Sequence, residues 1–308
     1  MIRKNLIRDF FEELFLAPRP YHYFFMLLLL PFSLSYGVIM LIRRLTAHRE
    51  VFPLPIISVG NLIVGGSGKT PFVIALASRY PKTTIISRGY GRESSGLIVV
   101  SRRGEILVSV RESGDEAMLM ARSLPECSVI VSEDRKNAIK KAIEEGAEQI
   151  ILDDGFNRVA IDKFEILLEP DQIANSLPFP AGPFREFSFC RKYADLAVKE
   201  NRDFQRDVTL SDLSEKMLLV TAIANPQRLD PYLPEGIVGR CYLPDHAYFD
   251  EGELQKMFKE YTADSLLVTE KDEVKMSGFK LPLSIMRLKL KINDAILYEI
   301  DEYVQEFK

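Results

Sequence analysis

Apolar positions at the start of the chain recur at helical spacing. In IRKNLIRDFFEELFL (residues 2–16), Ile2, Leu6, Phe10 and Leu14 stand four apart, with Ile7, Phe11 and Phe15 in a second row beside them. That pattern predicts a helix with one wide apolar face. Arg3, Lys4 and Arg8 fill the rest of its first half, and Pro18 and Pro20 end it. Residues 21–42, YHYFFMLLLLPFSLSYGVIMLI, then carry no Lys, Arg, Asp or Glu. A cleaved signal peptide fits poorly, because the run is long, starts late and lacks a small-residue cleavage site. A spanning helix needs roughly 20 apolar residues. However, Pro31, Ser33, Ser35 and Gly37 interrupt the run, and basic residues at both ends give no orientation. The preferred expectation is a broken hairpin lying in a membrane interface. A spanning helix and a helix buried in the protein's own core are the alternatives.

From residue 50 the pattern changes to short β-rich apolar runs alternating with helical ones. PIISV (55–59) leads through GNLIVGGSGKT into PFVIALASRY (71–80), and TIISRGYGR, SVIVSEDRKNAIKKAIEEG and EQIILDDGF follow. A Pro/Gly-rich break, SLPFPAGPFREF (176–187), precedes a second series ending in AILYEIDEYVQEF. Such alternation predicts an α/β fold with an open, mainly parallel sheet. The expected division is a membrane-associated segment at 1–49, a phosphate-loop domain at 50–178 and a second α/β domain at 179–308.

Composition adds limits. The length of 308 residues suits two domains, and 47% apolar with 27% charged residues is globular. Residues 1–50 hold 7 Lys/Arg and 4 Asp/Glu, a balance of +3; the remaining 33 basic and 40 acidic residues give −7. A basic end on an acidic body argues against nucleic-acid binding and suits contact with an anionic membrane surface. Cys127, Cys190 and Cys241 form neither a disulfide framework nor a zinc pattern.

The strongest chemical signal is Gly-rich. Strand, loop and helix succeed one another around residues 55–80, the context a phosphate loop requires. Ile63, Val64, Gly65, Gly66, Ser67 and Gly68 would wrap phosphate with backbone N–H groups. Lys69 would reach the β- and γ-phosphates, and the Thr70 hydroxyl would face Mg²⁺. The usual pattern places glycine where this chain has Ile63. Asp153 and Asp154 follow the apolar Ile150–Leu152 at a strand exit and suit Mg²⁺. Asp115, at a helix start in SGDEA, is either an N-cap or a base that takes a proton from an attacking hydroxyl. Arg88, Arg92 and Arg135 can grip phosphate, although a solvated surface is the better expectation for each taken singly. His246, in LPDHAYF, is one of three histidines. TEKD (269–272) lacks the Lys-x-Asp order that reads guanine, which counts against a GTPase.

Taken in order, SVGNLIVGGSGKTP, ISRGYGR, SGDEA, SEDR, ILDDGF, LPFPAGPFRE, NPQR, PDHAYF and TEKD resemble the tetraacyldisaccharide 4'-kinases of lipid A biosynthesis. The resemblance runs from about residue 50 to 275, and the apolar N-terminal segment matches too. That family's loop normally lacks the first glycine. The resemblance implies a phosphate-loop NTPase-like α/β/α domain, a smaller α/β second domain, and ATP with Mg²⁺. The acceptor would be the 4'-hydroxyl of a lipid disaccharide, at the cytoplasmic face of the inner membrane. By the same matching Asp115 is the base and His246 its orienting partner. Lys69 and Thr70 serve phosphates and metal, Asp153 and Asp154 the metal, and Arg88, Arg185 and Glu186 the substrate. One departure stands out: the family's Gln-His after its Asp-Asp-Gly is here Asn157-Arg158. The rival classes are a membrane-associated phosphate-loop ATPase switch or insertion factor, and a scaffold with a degenerate loop. No feature points to an obligate protein partner.

Overall fold

The computed structural model describes residues 6–65, 68–170 and 173–307, with backbone alone for 6–9. The expected positions Ile2, Arg3 and Lys4, the side chains of Leu6, Ile7 and Arg8, and the loop residues Gly66 and Ser67 lie outside the described residues.

Two helices open the chain, Leu6–Leu16 and His22–Thr46. Leu14 is fully buried, and the Phe10 ring packs edge-on to His22 at 4.8 Å and Phe25 at 5.1 Å. The turn between the helices is closed by the Arg19 N–H, which donates to His22 Nδ1 at 3.0 Å.

The second helix corrects the expectation of a break. It runs unbroken for 25 residues through Pro31. Proline costs a helix interior about 3 kcal/mol; Pro31 and Ser35 are exposed, whereas Ser33 and Gly37 are buried on the packing face. Ser33 Oγ accepts the Ala181 N–H at 2.8 Å. A Cβ at Gly37 would lie 2.6 Å from the Phe187 ring, so only glycine allows this approach. About two turns further on, Arg44 is buried. The large apolar side chains, among them Phe24, Leu28, Phe32 and Ile39, point outward. Only 11% of the helix's most apolar stretch is buried, so it is not a core helix.

The chain divides into two compact units, interleaved in sequence. One comprises residues 1–69, 148–205 and 292–308; the other, 70–147 and 206–291.

In the first unit, four parallel strands run in the order Gln149–Asp153, Ile56–Gly60, Phe164–Glu169, Leu196–Lys199. Ile56–Gly60 and Gln149–Asp153 are buried at every position, as strands covered on both faces must be. In register, Val59 pairs with Asp153. The phosphate-loop sequence and the acidic pair therefore leave adjacent strands at the same end, where open α/β sheets bind ligands.

The second unit carries strands Glu105–Ile106, Ile98–Arg102, Ser128–Val131 and Thr83–Ser87 in that order. It also carries a five-stranded sheet ordered Ile237–Tyr242, Met217–Thr221, Ser265–Thr269, Leu283–Ile292, Phe204–Ser211. The core on one side of that sheet gathers Leu218, Val220, Leu254, Leu266, Val268 and Met276. Helix Asp115–Ser123 buries Ala117, Met118, Met120 and Ala121.

Candidate functional site

Two clusters of charged side chains stand out, one in each unit. In the first unit the loop begins as extended chain. Ile63 makes an isolated antiparallel bridge with Phe184. On either side, the Arg185 N–H donates to Leu62 O at 2.7 Å and the Val64 N–H to Pro183 O at 2.9 Å. Leu62, Phe156, Leu167, Phe184 and Cys190 form a core cluster against which Ile63 packs. A side chain at 63 is therefore useful, and no positive φ is required there. The left-handed backbone appears later, at Gly65 (φ 110°) and Gly68 (φ 75°), where glycine costs nothing.

Lys69 opens the helix Lys69–Ala77, and Thr70 is buried directly behind it. The Lys69 ammonium donates to Asn61 Oδ1 at 3.2 Å and lies 3.4 Å from Asp154 Oδ1. Arg185 grips both oxygens of Asp154 at 2.8 and 2.9 Å. Asp154, with φ 55°, thus stands between two cations. Burial, the largest influence, pushes its carboxyl up; Lys69 and Arg185 outweigh it and hold the group below the usual carboxylate range. Asp153 is buried at the strand end.

Glu186 has a different setting. It is fully buried, and Arg44 forks onto its two oxygens at 2.7 and 2.9 Å. Arg44 also donates to Phe156 O at 3.1 Å and stacks on the Phe156 ring. Both carboxylate oxygens of Glu186 accept from Arg44 on the helix His22–Thr46. At the family's Gln-His site, Asn157 O accepts from Arg43 at 3.0 Å and Arg158 O from Lys163 at 3.1 Å.

In the second unit, Asp115 is the first residue of its helix, and Gly114 (φ 84°) holds the cap position. A Cβ at Gly114 would sit 2.7 Å from Tyr90 O. Asp115 Oδ1 accepts the Glu116 N–H at 2.8 Å. Both its oxygens also lie within reach of His246 Nδ1, at 2.8 and 3.0 Å. A carboxylate accepts only, so Nδ1 carries the shared proton. His246 itself sits at φ 61°, its N–H bonded to Ala222 O at 3.1 Å and its ring 4.9 Å from that of Tyr90.

Sequence reasoning missed two lysines in this cluster. Lys271 Nζ lies 3.2 Å from Glu116, 3.5 Å from Asp245 and 3.9 Å from Asp115. Lys275 Nζ lies 3.0 Å from Asp272 and 3.6 Å from Asp115. Burial alone would push the Asp115 carboxyl up. The His246 hydrogen bond, Lys271 and Lys275 outweigh it and hold the group below its ordinary value. The available signal was the four-residue spacing of the lysines in TEKDEVK, which puts them on one helical face. Of the arginines, Arg88 is exposed just past strand Thr83–Ser87. Arg92 pairs with Glu133 and Gly96 O, and Arg135 is buried against Ser132 O.

No three His, Cys, Asp or Glu gather into a metal-binding group among the described residues. Mg²⁺ does not need one, since it commonly takes one or two carboxylates and completes its shell with water and substrate phosphate. Asp153 offers a carboxylate of that kind in the first unit, and Thr70 a hydroxyl in the second.

The chain matches known proteins along nearly its whole length. The family model described as tetraacyldisaccharide-1-P 4'-kinase covers residues 25–305. A tetraacyldisaccharide 4'-kinase of Helicobacter pylori (strain HPAG1) is 47% identical over 302 residues, 97% of this chain and 96% of that protein. One of Aliarcobacter butzleri is 41% identical over 314 residues, 99% of this chain and the whole of that protein. Among solved structures, LpxK from Aquifex aeolicus in complex with ATP superimposes with a TM-score of 0.77 at 28% identity, covering 92% of this chain and 99% of that one. With a loop on the expected strand, a buried Asp-His pair and relatives of this coverage, the chain belongs to the tetraacyldisaccharide-1-phosphate 4'-kinase family.

Proposed function

We propose that this chain transfers the γ-phosphoryl group of ATP to the 4'-hydroxyl of a tetraacyldisaccharide 1-phosphate. The observation that carries the reading is the buried Asp115 carboxylate, both of whose oxygens lie within hydrogen-bond reach of His246 Nδ1. In the step, Asp115 takes the 4'-hydroxyl proton as the oxygen attacks the γ-phosphorus. The bond to the β–γ bridging oxygen breaks, and ADP leaves with the electron pair. His246 donates Nδ1–H to the carboxylate and fixes its rotamer. Phosphoryl transfer is chiefly positioning and charge neutralisation. Gly65 and Gly68 let the loop's N–H groups turn to phosphate, and Lys69 neutralises its charge. Asp154 and Arg185 hold Lys69 extended until nucleotide displaces it.

Asp153 is the carboxylate and Thr70 the hydroxyl that would serve Mg²⁺, which would supply charge neutralisation for the transferred phosphoryl group. Arg88, exposed beside the Asp115 unit's loop, is the remaining candidate for an anionic group of the acceptor. Glu186 we assign to holding Arg44 rather than the sugar. The outward row of Phe24, Leu28, Phe32 and Ile39 suits a lipid interface. An acceptor with acyl chains makes the cytoplasmic face of the inner membrane the expected site of action.

Incubation with γ-labelled ATP and the lipid disaccharide should move label into the lipid, and Lys69→Ala should abolish it. Partner-dependent ATP hydrolysis with no labelled lipid would instead favour a switch ATPase.

A further inference from the structure

The TEKDEVK turn contributes a second layer to the Asp115 cluster that the proposed reaction does not yet use. Lys275 is the most confined cation there. Its side chain is fully buried, as is that of Asp272, and its ammonium also lies 4.9 Å from the centre of the Phe249 ring. Burying a lone ammonium costs several kcal/mol unless it is paired, so this lysine is not incidental filling.

Asp272 is itself fixed from three directions. It accepts the Thr221 hydroxyl at 2.6 Å, the Ala222 N–H at 3.2 Å and the Thr269 hydroxyl at 2.8 Å. Ala222 also anchors His246, whose N–H bonds to its carbonyl. One short stretch of strand end therefore sets the position of both Asp115's partners: His246 directly, and Lys275 through Asp272.

We infer that Lys275 is a positioning residue for the phosphoryl transfer, held by Asp272 so that its ammonium pins Asp115 Oδ2 and keeps that carboxylate ionised and aligned. The inference rests on Asp115 being the base proposed above. The charged and titratable groups around Asp115 are Glu116 on its own helix, Asp245, His246 and Tyr248 from the loop before Asp250, and Lys271, Asp272 and Lys275. Lys271 is the more exposed of the two lysines and is shared among three carboxylates. Among the described residues, Lys275 pairs with Asp115 and Asp272. When Asp115 accepts the hydroxyl proton, Lys275 and Asp272 remain as a neutral pair, so no charge is stranded in the interior.

The test is Lys275→Met, alone and in an Asp115→Asn background, assayed for lipid phosphorylation across pH with melting curves as a folding control. Lys275→Met should lower kcat about 10- to 100-fold while leaving the KM for ATP within about threefold, and should raise the acid limb of the kcat profile by about one pH unit, the shift expected on losing an opposite charge at this range. In the Asp115→Asn background it should cost nothing further. An equal loss in both backgrounds, or an unmoved acid limb, overturns the inference. If Lys275→Met does not fold, Lys275→Arg is measured in the same cycle. Retention of the charge should keep the wild-type acid limb, and a displaced limb overturns the idea. Should wild-type protein label no lipid, the parent reading fails instead, and the two failures are distinguishable.

Discussion

Glu186 offers the sharpest test of structural against functional assignment. Sequence resemblance assigns it to the substrate, whereas the fold gives it Arg44. Consider Glu186→Gln. The variant keeps shape but removes the carboxylate that pairs with Arg44, leaving a guanidinium whose side chain is 3% exposed with an amide as acceptor. Two charge-assisted hydrogen bonds, at 2.7 and 2.9 Å, become at most one weaker one. Breaking a buried pair by removing one partner costs about 3–5 kcal/mol. The Phe156 carbonyl at 3.1 Å and its ring at 4.4 Å still hold part of the charge, so the lower end, about 3 kcal/mol, is expected. Urea unfolding followed by a probe in the first unit reads this directly. The double variant Arg44→Met/Glu186→Leu should recover most of the loss, because apolar replacement of a buried pair is often neutral. Residual activity below the unfolding transition should stay within a few-fold of wild type. A Glu186→Gln protein of wild-type stability with kcat reduced a hundredfold would refute the reasoning and return Glu186 to the substrate.

Further outcomes follow from the two clusters. Asp115→Asn should lower kcat by roughly 10²- to 10⁴-fold, the usual contribution of a general base, with the KM for ATP little changed in steady-state assays. Because the Asp115 carboxyl is held below its ordinary value, its stabilising contribution is complete above the unfolded-state value of about 3.9 and is lost as pH falls through the lower folded value. Acid unfolding of Asp115→Asn should accordingly show a shallower pH dependence below about pH 4 than wild type does. Ile63→Gly, which restores the usual loop pattern, should destabilise by about 2 kcal/mol through lost packing and added chain entropy, measured by melting; a gain in stability would show that the Phe184 bridge does not hold the loop. Phe24→Asp with Phe32→Asp should release the protein from anionic vesicles in a sedimentation assay while leaving its melting temperature within about 2 °C, since both side chains are outward and exposed.

Periodicity alone determined a good deal of this protein. The alternation of β-rich and helical runs marked an α/β fold, and the strand-loop-helix around Lys69 is formed where the pattern places it. Asp153 and Asp154 stand at the strand exit as expected, because the apolar run Ile150–Leu152 forms a strand buried at every position. Motif order was legible for the same reason: residues that hold phosphate are constrained by backbone geometry over a few positions, and that geometry is local. What the tertiary structure decided is everything set by partners distant in sequence. Ser33 and Gly37 look like helix breakers along the chain, yet they are the face on which a continuous helix meets Ala181 and Phe187. Ile63 looks like a damaged glycine until Phe184 is beside it. Arg185 and Glu186 are neighbours, but one faces Asp154 and the other Arg44. The two lysines of TEKDEVK converge on Asp115 from more than 150 residues away, and only burial with shared counter-ions, invisible to any local pattern, turns a charged turn into part of the site.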